Sequence, residues 1–371
     1  MPSRIAKHTE IAREIRSEIA SGKYGTGGRL PSEAQLVSRF GVSRPTAAQA
    51  LRALEHEGLV ERRPGSGTFV TRPPTTRSAL QQLGLIVPGL GHIEIFEVIC
   101  GELASLARVH DFGMHWGGST RPRGDADMSI EEAEALCSQF IEKGVNGVFF
   151  APFEHTPDNG AANRRITERL SHAGIPVLLL DRDTTPFPQR SAFDLVGIDN
   201  FAGGYLLAEH LIKLGARRLA FVTRPLSATT VDARKAGVCS AMMAHDIPLP
   251  RDFLRTGDPA DLKFVRQLMA GKQLDAVICT NDHTAARLLQ TLTRMGVSTP
   301  RDLRVVGFDD VRFATLLAVP LTTIQQPCRD IAVTAFNALR ERIEDPTLPA
   351  RSLLLSPRLV VRESCGAYLP R

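Results

Sequence analysis

The stretch 30–70 constrains the fold of this chain more than any other feature, because it places two predicted helices only the dipeptide "GV" apart. The segment "LVERRPGSGTFV" follows the second of these helices and is typical of two short strands around a glycine-containing hairpin. Further upstream, Ile11, Ile15 and Ile19 recur at the spacing of one helix face. Three helices followed by a hairpin predict a winged helix-turn-helix domain.

Local capping signals predict where the second and third helices begin and end. Ser32 is a predicted N-cap with Gln35 as its capping-box partner, and Gly41 is the predicted stop of that helix. Ser43 is the predicted N-cap of the third helix. Pro45 lies in its first turn, where a missing N–H loses no hydrogen bond.

Basic residues are concentrated at this end of the chain. The first 77 residues hold 13 of the 45 Lys and Arg residues but only 7 of the 40 Asp and Glu residues. Because contacts with phosphate supply most of the non-specific affinity for nucleic acid, this excess favours a polyanionic partner such as double-stranded DNA. A mildly basic surface is the alternative explanation.

In a winged helix-turn-helix domain, the N-terminal end of the third helix enters the major groove and the hairpin tip lies on the backbone or in the minor groove. The free N–H groups at that helix end favour phosphate, and its side chains reach base edges. A helical hairpin used for dimerisation is the alternative. The predicted DNA-binding residues are Ser32, Ser43, Arg44, Thr46, Arg62, Arg63, Gly65, Ser66 and Gly67.

Residues 72–82, with adjacent prolines, Ser, Thr and charge, read as a linker between a DNA-binding domain at 1–71 and a second domain at 83–371. Beyond the linker, short apolar runs alternate with helical stretches, as in the βαβ units of a parallel sheet, and this pattern begins again near "RRLAFVTRP". We therefore predict an α+β winged helix-turn-helix domain followed by an α/β domain of two doubly wound parallel-sheet lobes.

Motifs for catalysis, cofactors and metals are absent from the sequence. It lacks a GxGxxG after a strand, a P-loop, HExxH and GxSxG. The six cysteines form no CxxC pair, and the ten histidines, His110, His115 and His155 among them, show no ligand spacing. No signal peptide or membrane-spanning run is evident. We expect a cytoplasmic protein with buried, reduced thiols that holds no metal or cofactor and is not an enzyme.

Polar side chains follow three apolar runs at the point where each predicted strand ends. They are Asp181 and Arg182 after "VLLL", Asn281 and Asp282 after "VICT", and Asp309 and Asp310 after "VVGF". In parallel α/β sheets ligands bind at this edge, and such groups hydrogen-bond hydroxyls well. Helix capping is the alternative, and we favour it for Asn200 and Asp282. Asp181, Asn281 and Asp309 together predict a site for a small polar ligand.

Residues 30–70 resemble the DNA-binding domain of the gluconate-repressor (GntR) family of bacterial transcription regulators, through "LPSE", "FGVSR.T", "EGLVER" and "GTFV". Ala34 and Ala48 stand where many relatives carry arginines that contact DNA. The resemblance therefore implies that Arg44, Thr46 and the hairpin carry more of the base readout here.

Residues 83–364 resemble the effector domain of the lactose- and purine-repressor family, itself similar to periplasmic sugar-binding proteins. The matching segments include "VGIDNFAGGYLLAEHLIKLGARRLAFV", "ICTNDHTAARLLQ", "LRVVGFDDVRFA" and "PLTTIQQP". The resemblance implies two lobes that close on a sugar or nucleobase, with the chain crossing between them near Val196 and Gln326.

The same resemblance implies that Asp181, Arg234, Asn281 and Asp309 bind the ligand. A solvated salt bridge is the alternative for Arg234. The segment "GDPAD" has no aromatic residue where relatives stack a sugar on a ring, so Phe96 or Trp116 is expected to take that role. The complete predicted ligand set is Glu94, Phe96, Trp116, Asp181, Arg182, Arg234, Asn281, Asp309 and Gln326.

The combination of these two domains resembles the arabinose-repressor subgroup. It implies a homodimeric repressor that binds operator DNA under the control of a small polar effector, with a sugar the favoured class and a nucleobase or sugar acid left open. A sugar- or nucleotide-processing enzyme with a DNA-binding domain is the alternative. A solute-binding protein is disfavoured, because no signal peptide is evident.

Overall fold

The computed structural model describes residues 7–20, 23–24, 27–56, 59–63, 66–71, 81–88, 94–117, 128–270 and 274–369. The chain forms two compact units, Met1–Gln81 and Gln82–Arg371. Most of the predicted linker, 72–80, lies outside the described residues. None of the described helices has both the length and the apolar character needed to cross a membrane.

The first unit has the predicted winged helix-turn-helix order of three helices and an antiparallel hairpin. Its elements are α1 (Lys7–Ala20), α2 (Glu33–Phe40), α3 (Arg44–His56), β1 (Val60–Arg63) and β2 (Gly67–Val70). Arg29 adds a single antiparallel bridge to Phe69, so a third segment lies beside the hairpin.

The predicted caps of α2 are confirmed. The Ser32 hydroxyl accepts a hydrogen bond from the Gln35 N–H, and the Gln35 side chain accepts one from the Ser32 N–H. Gly41 ends the helix in the left-handed conformation, with φ 60°, which glycine adopts without strain. Ile11, Ile15 and Ile19 are buried against the inner faces of the other two helices, so the core follows the predicted helical spacing.

The second unit consists of two lobes, each built on a parallel sheet. The first lobe has a six-stranded sheet in the order β13-β7-β6-β5-β3-β4. Its strands are β3 (Gln82–Ile86), β4 (Gly113–Trp116), β5 (Gly147–Phe150), β6 (Val177–Leu180), β7 (Asp194–Ile198) and β13 (Ser352–Leu355). Its helices are α4 (Glu94–Val109), α5 (Ile130–Lys143), α6 (Asn159–His172) and α11 (Cys328–Glu344).

The second lobe has a four-stranded parallel sheet in the order β11-β10-β8-β9. Its strands are β8 (Leu219–Thr223), β9 (Leu254–Thr256), β10 (Ala276–Cys279) and β11 (Arg304–Val306). Its helices are α7 (Asn200–Lys213), α8 (Thr229–Ala244), α9 (Leu262–Met269) and α10 (Asp282–Arg294). An antiparallel pair, β12 (Thr323–Gln325) and β14 (Arg358–Val360), completes this lobe.

Within the described residues the chain passes between the lobes three times. The passages lie after β7, between β12 and α11, and between β13 and β14. The sequence analysis expected two passages, near Val196 and Gln326. It did not predict the third, because β13 and β14 are short strands whose side chains are largely half-exposed.

The inner strands of both large sheets, β5, β6 and β7 in the first and β8 and β10 in the second, are buried by apolar packing on their two faces. All six cysteines are free. Cys239 and Cys328 are half-exposed, whereas the other four are buried, so the expectation of buried thiols holds for only part of the set.

Candidate functional site

The N-terminal end of α3 presents an exposed arginine. Arg44 is the first residue of the helix, and no described residue makes a recorded ion pair or hydrogen bond with its side chain. Before it, the Ser43 hydroxyl lies 2.8 Å from the Thr46 hydroxyl, and the Ser43 carbonyl accepts a hydrogen bond from the Ala47 N–H. The guanidinium of Arg44 is therefore available to a partner.

The predicted residues of the hairpin differ in their surroundings. Arg62 forms an ion pair with Glu33 of α2, which offsets part of its charge. The Arg63 guanidinium lies 4.9 Å from the ring centroid of Phe69 and is exposed. Ser66 is exposed at the tip, whereas Gly65 lies outside the described residues.

Arg29 was not predicted from the sequence, although it lies beside the hairpin. Gly67 has φ 121°, and a Cβ at this position would come within 2.8 Å of the Arg29 Nε. This close approach brings a further exposed guanidinium to the hairpin. Arg29 follows a glycine-rich turn, where helical or strand periodicity gives no signal.

Asp181 and Arg182, from the first lobe, lie with Arg234, Asn281 and Asp309, from the second lobe, around one pocket between the lobes. These residues follow β6, β10 and β11 or lie on α8. The pocket is also lined by Ile95, Glu154, His155, Arg224, Ser227, Thr230, Val231, Thr280 and Thr284. The strand ends thus meet as predicted.

Arg234 is buried and held from several directions. Its Nε donates to the Asn200 Oδ1 at 2.8 Å, and its Nη1 donates to the Thr280 carbonyl at 2.5 Å. Its Nη2 lies 3.6 Å from the Asp309 Oδ1, and the guanidinium carbon lies 3.6 Å from the Phe308 ring centroid. These contacts contradict the solvated-salt-bridge alternative.

Glycines set the position of Arg234 by letting α7 and α8 approach closely. A Cβ on Gly204 would lie 2.0 Å from the Arg234 carbonyl oxygen, and one on Gly237 would lie 1.9 Å from the Phe201 carbonyl oxygen. Only glycine permits this backbone contact. The helix carrying Arg234 is therefore fixed against the helix carrying Asn200.

Asp309 and Gln326 connect the second lobe to the passage that follows β12. The Gln326 Nε2 donates to the Asp309 Oδ1 at 2.7 Å. Burial raises the pKa of Asp309 to about 6, against the opposing effect of Arg234 and with further contributions from the carboxylates of Asp181 and Glu154. The Gln326 Oε1 is buried and accepts no hydrogen bond from the described part of the chain.

In the first lobe, Arg182 lies between two carboxylates. Its Nε donates to the Asp181 Oδ2 at 3.0 Å, and its Nη1 lies 2.9 Å from the Glu154 Oε2. Asp181 adopts φ 68°, an uncommon conformation for a residue other than glycine. Its Oδ1 is buried and has no hydrogen-bond partner among the residues described. The sequence analysis missed Glu154, which follows β5 in the same way as the predicted residues follow their strands.

Capping roles differ from those predicted. Asn281, expected to bind ligand, is the N-cap of α10 through its Oδ1, although it also lines the pocket. Asn200 was expected to cap α7, but the N-cap is Asp199. The Asn200 Oδ1 instead accepts a hydrogen bond from Arg234 and orients it. Asp282 is fully buried and accepts hydrogen bonds from the Thr323 hydroxyl at 2.6 Å and from a backbone N–H.

Three further predicted ligand residues lie elsewhere. Phe96 is 1% exposed, and the Arg182 guanidinium lies 5.4 Å from its ring centroid, so its ring supports an arginine and offers no open face. Trp116 is exposed on the edge strand β4 and does not line the pocket. The Glu94 Oε1 accepts a hydrogen bond from the Arg312 N–H at 2.9 Å.

Contacts on two sides of the pocket join the lobes. On one side lies the pair of Glu94 and Arg312. On the other, the His155 N–H donates to the Leu226 carbonyl at 2.7 Å, and the Glu154 Oε2 accepts from the Ala228 N–H at 3.3 Å. The structure is therefore a closed arrangement of the two lobes.

Within the described ranges, no three His, Cys, Asp or Glu side chains are grouped closely enough to hold a metal ion. The charged groups in the pocket are carboxylates paired with guanidiniums. Chemically, the pocket can hold a small polar molecule by hydrogen bonds from both lobes.

Two family models match this chain. Residues 7–70 match the bacterial regulatory proteins of the gntR family, and residues 208–365 match a periplasmic binding protein-like domain. Among curated relatives, the arabinose metabolism transcriptional repressor of Geobacillus stearothermophilus is 28% identical over 97% of this chain and 98% of its own length. The transcriptional repressor PurR of Erwinia tasmaniensis is 31% identical over 67% of this chain and 71% of its own.

Solved structures show the same fold. The complex of the transcriptional regulator CelR with cellobiose covers 90% of this chain and 100% of its own, with a TM-score of 0.66 and 21% identity. A LacI family regulator from Enterococcus faecium with bound ribose covers 76% of this chain and 98% of its own, with a TM-score of 0.61 and 24% identity.

Proposed function

We propose that this chain binds operator DNA and changes its affinity for it in response to a small polar ligand held between its lobes. The chain belongs to the family of LacI-like transcriptional repressors and has a gntR-type DNA-binding domain. A sugar is the class we favour, since relatives include an arabinose metabolism repressor and a regulator complexed with cellobiose. We place its action in the cytoplasm.

One observation carries the ligand proposal. Buried polar groups from both lobes converge on one pocket, and one acceptor atom of its lining, the Asp181 Oδ1, has no hydrogen-bond partner in the described part of the chain. The same holds for the Gln326 Oε1, whose side chain donates to the pocket residue Asp309. Buried acceptors are costly unless a donor reaches them. We propose that Asp181, Arg234, Asp309 and Gln326 contact the ligand, with Arg182 and Asn281 beside them.

For DNA, we propose that Arg44 and Thr46 read bases from α3, while Arg63, Ser66 and Arg29 contact the backbone or minor groove. We further propose a homodimer, because a two-fold operator requires two recognition helices about one DNA turn apart. Movement of the lobes would change the spacing of these helices. A coupling of about 1–3 kcal/mol suffices to change operator affinity roughly 5- to 150-fold.

The test begins with the operator. The purified chain is used to select the operator from a pool of random DNA duplexes. Fluorescence anisotropy then measures the affinity of the chain for this operator with and without candidate sugars. A sugar that changes operator affinity and also shows saturable binding by calorimetry supports the proposal. Sequence-independent DNA binding only, or turnover of a sugar without any effect on DNA, would contradict it and favour the enzyme alternative.

A further inference from the structure

We propose that the pocket between the lobes selects an uncharged, hydroxyl-rich ligand and rejects its anionic counterpart, and that Glu154 makes this distinction. The inference rests on the proposed function and deepens it, because it names the ligand class of the same pocket. No comparison assigns a role to Glu154.

Buried acceptors in the pocket and next to it require donors. The Asp181 Oδ1, in the pocket lining, accepts no hydrogen bond from the described residues, and Asp181 is only 6% exposed. The Gln326 Oε1, on a side chain that donates to the pocket residue Asp309, is likewise without a partner among them, and Gln326 is 5% exposed. A hydroxyl group can donate to such acceptors, whereas a carboxylate or a fully ionised phosphate cannot. The hydrogen-bonding requirement therefore favours an alcohol over an anion.

The balance of charge points the same way. Three carboxylates, those of Glu154, Asp181 and Asp309, line the pocket against the two buried guanidiniums of Arg182 and Arg234. Arg182 forms ion pairs with two of these carboxylates, and Arg234 forms one with the third. A bound anion would add to the excess of negative charge. Arg224 also lines the pocket, but it is exposed, so solvent and salt screen its charge.

Glu154 occupies the position that would otherwise attract an anion. Helix α8 begins after Ala228, whose side chain provides no capping hydrogen bond. The Glu154 Oε2, from the other lobe, accepts the Ala228 N–H at 3.3 Å and lies 2.9 Å from the Arg182 Nη1. Helix N-termini and guanidiniums favour anions. Here a carboxylate of the protein takes both contacts.

The surroundings of Glu154 favour its charged form. Burial would raise the pKa of this carboxyl, but the neighbouring Arg182 and His155 hold it below its ordinary value. The pKa of Asp309 is raised first by burial, and the carboxylates of Asp181 and Glu154 add to this rise. Glu154 is therefore ionised at neutral pH and repels a second anion.

The test compares sugars of one stereochemical series that differ only at the C5 substituent. L-arabinose, D-galactose, D-galacturonate and D-galacturonamide form one series, and D-xylose, D-glucose, D-glucuronate and D-glucuronamide form another. Isothermal titration calorimetry of the full chain at pH 7.5 measures each affinity. For the native chain we expect a neutral sugar of one series to bind at least about tenfold more tightly than its uronate.

Substitutions at Glu154 test whether its charge causes the preference for the neutral sugar over the uronate. Glu154→Gln retains an acceptor for the Ala228 N–H but removes the charge, so we expect the ratio of sugar to uronate affinity to fall about tenfold. Glu154→Asp retains the charge and should preserve the ratio. Glu94→Gln is the matched control, since this carboxylate also joins the lobes but does not line the pocket. Thermal unfolding verifies that each variant is folded.

Each outcome supports or overturns the inference. A uronate that binds the native chain as tightly as its neutral sugar, or a ratio unchanged in Glu154→Gln, would overturn the role of Glu154 and leave the proposed function intact. Equally weak binding of uronate and uronamide would also overturn it, because size and not charge would then be the cause. Binding of none of the neutral sugars would overturn both the hydroxyl-rich ligand class and the proposed sugar effector.

Discussion

Arginines in the two units of this chain occupy opposite environments. In the DNA-binding unit, Arg44 and Arg63 are exposed, and Arg44 makes no recorded polar contact with a described residue. In the two-lobed unit, Arg182 and Arg234 are buried and each faces a carboxylate. An exposed arginine can form an ion pair with a phosphate of a polyanion. A buried arginine that is already paired with a carboxylate adds little net charge, but it can still donate directed hydrogen bonds.

Exposure alone does not identify a DNA contact, because one surface arginine of the first unit is structural. Arg39 donates to Glu18 at 2.6 Å and to Glu14 at 2.8 Å, which ties α2 to α1. Arg62 is likewise paired, with Glu33. The lesson is that an arginine is most available to DNA when no carboxylate holds its guanidinium closely, as for Arg44. The exposed Arg63 has only a loose pair, with its Nη2 3.4 Å from the Glu61 Oε2.

The largest expected effect follows from removing a buried arginine. Arg234→Ala leaves Asp309 and Asn200 without their partner, so we expect the free energy of unfolding to fall by about 3 kcal/mol or more. Sugar binding should be lost as well. Chemical denaturation and calorimetry measure the two effects.

Lys235→Ala is the control. Among the residues that the structure describes, Lys235 is paired only with Asp232 on the helix surface, so its loss should cost less than about 1 kcal/mol. Operator binding by Arg234→Ala should remain at temperatures where the protein is folded. If Arg234→Ala were as stable as Lys235→Ala, the contrast between buried and exposed arginines would fail.

The next effect concerns the exposed arginine at the start of α3. Arg44→Ala should weaken operator binding about 10- to 100-fold at physiological salt, because one base contact contributes about 1–3 kcal/mol. Sugar binding and thermal stability should be unchanged. Arg52→Ala is the control, being exposed further along the same helix. Equal losses for the two variants would show that charge and not base readout is responsible.

A smaller effect is expected from pH in the DNA-binding unit. Hydrogen bonds from Arg39 lower the pKa of Glu18 from 4.5 to about 2, against the opposing effect of burial. Because this pKa is depressed in the folded state, its contribution is complete above pH 4.5 and is lost as the pH falls towards 2. We expect this contribution to the free energy of unfolding to be about 1 kcal/mol, because solvent screens the ion pair. Denaturation of the native chain and Glu18→Gln at several pH values measures it, and a constant difference between the two would refute it.

The smallest effect separates two neighbouring arginines of the hairpin. Arg63→Ala should reduce the dependence of log affinity on log salt by about one unit, the value for one lost phosphate contact. Arg62→Ala should reduce it less, because the ion pair of Arg62 with Glu33 is closer than the exposed, 3.4 Å pair of Arg63 with Glu61. Anisotropy titrations at several salt concentrations compare them. A larger reduction for Arg62→Ala than for Arg63→Ala would mean that the ion pair of Arg62 with Glu33 opens when DNA binds.

Helix ends and strand ends were predictable because local chemistry determines them. The cap at Ser32 and the stop at Gly41 depend on neighbours a few residues away, and both are confirmed. The meeting of Asp181, Arg234 and Asp309 at one pocket followed from the resemblance and from the rule for parallel strand edges.

What the sequence could not determine depends on tertiary contacts. Asn200 does not cap its helix, because its Oδ1 accepts a hydrogen bond from Arg234 on another helix, whereas Asn281 caps α10. Phe96 was expected at the ligand, but its helix face packs inward and lies beneath Arg182. Glu154 was missed because its partners, Arg182 and Ala228, come from distant segments.

The three passages between the lobes have a consequence for biosynthesis. The first lobe is completed by α11 and β13, which are translated after all of the second lobe except β14, and the Arg351 N–H donates a hydrogen bond to Asp194 across 157 residues. The edge of β7 therefore has no strand partner on that side while the ribosome adds the intervening residues. An unpaired edge strand is prone to join other chains. The nascent polypeptide is thus at greatest risk of aggregation late in translation, shortly before its fold can close.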